Sequence, residues 1–99
     1  MRKPKATMKF YDNGGKTADR YTAVFLYDRD SRNGTYTYVG MSGTPFHPLG
    51  IGYHGEGARL GKHLGKRISF AALPLDCQRL VMRDLALDNQ VLVENVTKL

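Results

Sequence analysis

His47, His54, Glu56 and His63 lie close together in one stretch of the chain, and imidazole with carboxylate is a metal-ligand pairing. Three loop histidines can converge on one ion. The named metal motifs are nonetheless incomplete. His54-x-Glu56 matches the H-x-E of zinc deaminases, but the paired cysteines that finish that site are missing. Glycines on both sides forbid the helix that an H-E-x-x-H site needs. Ser42 beside His47, His54 and Glu56 offers a base-activated nucleophile, yet nearness in sequence does not establish geometry. The sequence therefore leans against an enzyme, with no cofactor or resident metal expected and a histidine site as the weaker alternative.

A second set of groups overlaps the first. Arg59, Lys62, His63, Lys66 and Arg67 fall in a run with no acid between Gly57 and Leu75. Seven of the eleven glycines and all three histidines lie between Gly43 and Gly65. Gly50 to Gly55 spells G-x-G-x-x-G, but no strand-helix-strand context surrounds it, so the dinucleotide reading fails. Gly61-Lys62 and Gly65-Lys66 lack the rest of a Walker loop. What survives is an anion site, with glycine amides forming a nest, Lys62, His63, Lys66 and Arg67 supplying charge around it, and Arg59 and the N-terminal lysines adding weaker attraction. Phe46, Leu49, Ile51 and Tyr53 are spaced among prolines and glycines and read as anchors for a protein partner.

Composition narrows the classes. The chain has 99 residues, a formal charge of +6 and 41% apolar residues, which fits one soluble domain with a modest core. Positive charge draws anionic partners, nucleic acid being the commonest. One cysteine, Cys77, excludes an intramolecular disulfide and a cysteine-based zinc site. The first residues are basic with no apolar run behind them, and no stretch is long enough to span a bilayer. A cytoplasmic location and no membrane partner are the defaults.

The elements that must position these groups follow from periodicity. Residues 7–11 alternate as an edge strand, and Asp12-Asn13-Gly14-Gly15 is a turn. Residues 20–27 are rich in aromatic and β-branched side chains on both faces, as in a central strand. Asn33-Gly34 signals a hairpin into residues 35–41. Residues 66–70 return as a further strand. Leu73-Pro74 opens a helix whose Cys77, Leu80, Val81 and Leu85 share one face. The tyrosines and Phe25 of the paired strands are expected in the core beneath that helix, with a base-stacking surface as the alternative reading.

Two blocks carry a resemblance. Tyr11-Asp12-Asn13-Gly14-Gly15-Lys16-Thr17-Ala18-Asp19-Arg20-Tyr21-Thr22, and His63-Leu64-Gly65-Lys66-Arg67-Ile68 followed by Leu73-Pro74, resemble a family of short bacterial, plasmid and prophage proteins. The resemblance implies a bacterial or phage-type protein of mobile elements and brings no activity, cofactor or catalytic residue with it. The expected fold is α+β, a small mainly antiparallel sheet of three to five strands with one helix in the C-terminal half. The expected organisation is a single domain (1–99), with a flexible basic tail at 1–6, one long glycine-rich loop at 42–65, and a last strand or tail at 90–99. The expected function is non-enzymatic binding of nucleic acid or another polyanion through Arg59, Lys62, His63, Lys66 and Arg67. A protein-interaction module and a small histidine-based enzyme are the alternatives.

Overall fold

Tyr21–Asp30 (β2) is the centre of the architecture because apolar residues occupy both of its faces. The computed structural model describes the backbone of residues 8–87 and side chains of residues 8–85; the expectations for 1–6 and 90–99 lie outside the described residues. β2 is flanked by β1 (Met8–Asp12) and β3 (Thr35–Met41), with β4 (Gly52–Ala58) and β5 (Lys66–Ile68) outside them. The sheet runs β4-β3-β2-β1-β5, every neighbouring pair antiparallel, and one helix, α1 (Leu75–Leu87), follows. This is the small α+β fold expected.

Two expectations about the strands and loops need correction. β1 is not an edge strand, because β5 pairs with it through Phe10↔Ile68, Tyr11↔Arg67 and Asp12↔Lys66. Nor is 42–65 one irregular loop, since Gly52–Ala58 is a strand and Lys62–Leu64 a 3₁₀ turn. The glycines of β4 do not forbid the strand; they make room on it. A Cβ on Gly55 would lie 2.9 Å from the Tyr38 ring, and one on Gly40, opposite on β3, 2.6 Å from the Tyr53 ring. Gly40↔Tyr53 and Tyr38↔Gly55 are direct ladder partners, so each tyrosine covers the bare backbone of the strand beside it. The two rings meet edge to face, 5.8 Å apart at 85°.

Alternation divides the sheet into two faces. Met8, Phe10, Ala23, Phe25, Val39 and Met41 point to one side, where Cys77, Leu80, Val81 and Leu85 of α1 close the core. The i, i+3, i+4, i+8 spacing places these four on one helix stripe, and each large aliphatic buried contributes about 1.5–3 kcal/mol. Asp76 lies in the first turn of α1, and Ser69 caps the preceding 3₁₀ turn by accepting the Ala72 N–H at 3.2 Å. Burial pushes the Cys77 thiol up to about 11, aided by Asp76, so it stays protonated and donates to the Ser42 carbonyl at 3.1 Å. Tyr21 and Tyr27 pack against this core as expected, whereas Tyr36 and Tyr38 alternate onto the other face.

That other face is covered differently. β4 and β5 sit at opposite edges and run in the same direction, as three intervening antiparallel strands require. Residues 59–65 must carry the chain from one edge to the other, and they do so across the face away from α1, forming a strap. Val24, which points to this side, is fully buried even though α1 packs on the opposite face.

Candidate nucleic-acid interface

The strap rejoins the sheet at Gly65, where φ is 95° and a Cβ would lie 2.3 Å from the Asp12 carbonyl oxygen. Both conditions demand glycine at this joint. A fixed joint sets the path of the strap. Arg59 follows β4 directly, Lys62 and His63 occupy the 3₁₀ turn Lys62–Leu64, and Lys66 and Arg67 lie in β5. All five basic side chains are exposed, and none forms an ion pair with an acid among the described residues. Arg67 stands opposite Tyr11 on the strap side, while Lys66 stands opposite Asp12 and helps hold its carboxyl low, after Arg20.

Between the strap and the sheet lies a groove of about 330 Å³. Tyr38 and Tyr53 form its sheet wall, Arg59, His63 and Leu64 its strap wall, and Thr22 lies at its floor. Tyr53 is held in place: its hydroxyl donates to Asp19 Oδ2 at 2.7 Å. Thr17 donates to the other carboxylate oxygen at 2.6 Å. These two hydroxyls hold the Asp19 carboxyl below its usual range, and the carboxylate in turn raises the Tyr53 phenol, with burial and Tyr38 adding to the effect. The turn that presents Asp19 is tied by its own hydrogen bonds. Asn13 Oδ1 accepts the Gly15 and Lys16 amides, the Asn13 N–H donates to the Arg20 carbonyl, and Arg20 grips Asp12 at 2.7 and 3.0 Å.

The structure thus brings Arg59 and His63 to one groove, with Lys62 on the strap beside them and Arg67 on the same side of β5, whereas Lys66 alternates with Asp12 to the α1 side. It does not assemble the alternatives. His54 is on the helix side, its ring 6.0 Å from Phe25; His63 borders the strap groove; His47 accepts the Leu49 N–H at 3.0 Å through Nδ1. Glu56 borders a separate hollow beside Asp28 and Asp30. Among the described residues no group of three or more histidine, cysteine, aspartate or glutamate side chains could hold a metal ion. Ser42 Oγ accepts the Ile51 N–H at 2.9 Å, closing its own loop rather than meeting a histidine. The amides of Gly50 and Gly65 donate to the His47 and Lys62 carbonyls, so neither serves an anion nest.

The four residues expected as one protein contact are also divided. Phe46 lies under the Arg83 guanidinium of α1 at 5.6 Å, Leu49 is 89% exposed on its loop, Ile51 is half-buried, and Tyr53 belongs to the strap side. Thr22 and Asp19 went unrecognised in the sequence. The register of β2 is what reveals Thr22, in one cross-strand row with Tyr11, Gly40 and Tyr53, while Asp19 is revealed only by its bond to the Tyr53 hydroxyl. No described helix is long and apolar enough to cross a membrane. The chain matches no protein-family model, no curated protein and no solved structure.

Proposed function

We propose that the chain binds a nucleic acid, without chemistry of its own, through the strap and β5. Arg59, Lys62, His63, Lys66 and Arg67 contact phosphates, and Lys9, on the strap side of β1, adds weaker attraction. The observation that carries this reading is the set of five exposed basic groups along the strap and the strand β5 that follows it, none of them ion-paired within the described residues. Unpaired surface cations keep their full attraction for polyanions, whereas paired ones would be neutralised. A setting among bacterial mobile elements, which the sequence resemblance implies, suits such a protein. Contacts of this kind position a protein on its partner without reading base sequence.

Salt tests the proposal. With about four phosphates neutralised, affinity for a labelled oligonucleotide falls about a hundredfold between about 50 and 200 mM salt. Replacing Lys62, Lys66 or Arg67 by glutamine reduces the salt slope by about one unit each. Absence of binding, or binding that salt does not weaken, overturns it; the salt-insensitive outcome would favour the protein-interaction reading.

A further inference from the structure

The floor of the strap groove holds a group that the fold does not use. Thr22 is 8% exposed, and its hydroxyl finds no hydrogen-bond partner among the described residues. Valine has nearly the same shape and would avoid the cost of a buried, unpaired hydroxyl. The side chain lies at the base of the groove walled by Tyr38, Tyr53, Arg59 and His63. Each wall offers a different interaction. Tyr53 is 41% exposed, its hydroxyl end resting over Gly40 and fixed by Asp19, so its ring is held ready for a stacking partner. Arg59 and His63 supply positive charge on the opposite wall. Asp19, engaged by Thr17 and Tyr53, keeps a phosphate away from the turn side and toward the strap.

We infer that this groove seats one unpaired nucleotide of a single-stranded nucleic acid. Its base stacks on Tyr53, its phosphate meets Arg59 and His63, and a polar atom of the base or sugar pairs with the Thr22 hydroxyl. The inference rests on the nucleic-acid reading above and adds strand selection to it. A volume of about 330 Å³ is at the lower end of small-molecule sites, which span about 300–1,000 Å³. A duplex keeps its bases stacked inside and cannot deliver one into such a recess, while a single strand exposes every base face.

The test titrates a short oligothymidylate, and a duplex of equal length, into the whole chain and into Thr22→Val, Tyr53→Leu and Lys66→Gln variants. The single strand is expected to bind about tenfold more tightly than the duplex, with Tyr53→Leu removing about tenfold of single-strand affinity alone. Thr22→Val is expected to weaken single-strand binding several-fold while melting no lower than the parent chain. Because Thr22→Val removes no hydrogen bond among the described residues and keeps nearly the same shape, it is expected to fold and to answer even if Tyr53→Leu does not fold. Lys66→Gln is expected to weaken both probes alike. Equal affinity for the two probes, with Thr22→Val unchanged, overturns this inference and leaves phosphate binding standing. Absence of binding to either probe overturns both.

Discussion

The two faces of the sheet are built by opposite means from the same strands. On one, α1 lays a continuous apolar stripe over Phe10, Ala23, Val39 and Met41, and the result is a sealed core. On the other, two tyrosines lie across two glycines and a seven-residue strap, 59–65, passes over the strands, leaving a groove beside its charges. A helix can cover three strands because side chains project from it at every turn. A glycine-rich strap covers with backbone and a few long side chains, so it leaves gaps. The difference teaches where to look for a ligand: the face with the poorer lid keeps polar groups such as Thr22 near solvent.

Substitutions sharpen that contrast. Gly65→Ala has the largest expected effect, about 4 kcal/mol by urea unfolding, because a positive φ and a backbone clash coincide at the strap's joint. A loss below about 1 kcal/mol would mean that the strap does not depend on this joint. Leu85→Ala, on the sealed face, is expected to cost about 3 kcal/mol while leaving oligonucleotide affinity of the folded protein unchanged. A matching fall in affinity would erase the functional distinction between the faces. Gly40→Ala is expected to cost about 2 kcal/mol by displacing the Tyr53 ring, and, unlike Leu85→Ala, to weaken single-strand binding too.

The smallest expected effect is acid sensitivity. Asp19 has its carboxyl lowered by the Thr17 and Tyr53 hydroxyls, so the stability it confers is present above the usual value of 3.8 and is lost as pH falls through the lower folded value. Tyr53→Phe removes one donor and narrows that loss by about 1 kcal/mol or less, read as a flatter melting temperature between about pH 5 and pH 2. An unchanged acid slope would show that the Tyr53 bond does not hold the carboxylate.

The sealed face was legible in the sequence and the strapped face was not, for a physical reason. Cys77, Leu80, Val81 and Leu85 announce their face through helical spacing, and β2 is marked as central by apolar residues on both sides, but Tyr36 and Tyr38 of β3, expected beneath the helix, lie on the strapped face. β4, reading GYHGEGA, has the composition of a loop, and what makes it a strand is Tyr38 over Gly55 and Tyr53 over Gly40, pairings fixed by tertiary register. The basic run was visible as composition. Which side of the sheet it crosses, and hence that Thr22 and the tyrosines would face it, depends on β4 and β5 occupying opposite edges. That is a property of topology, and no local pattern encodes it.

The most direct measurement is amide chemical-shift mapping of oligothymidylate binding at low and raised salt. The account predicts perturbations at Thr22, Tyr38, Tyr53 and residues 59–67 that fade as salt is added, with residues 75–85 of α1 unmoved. Perturbations centred on α1, or none on the strap, would contradict it.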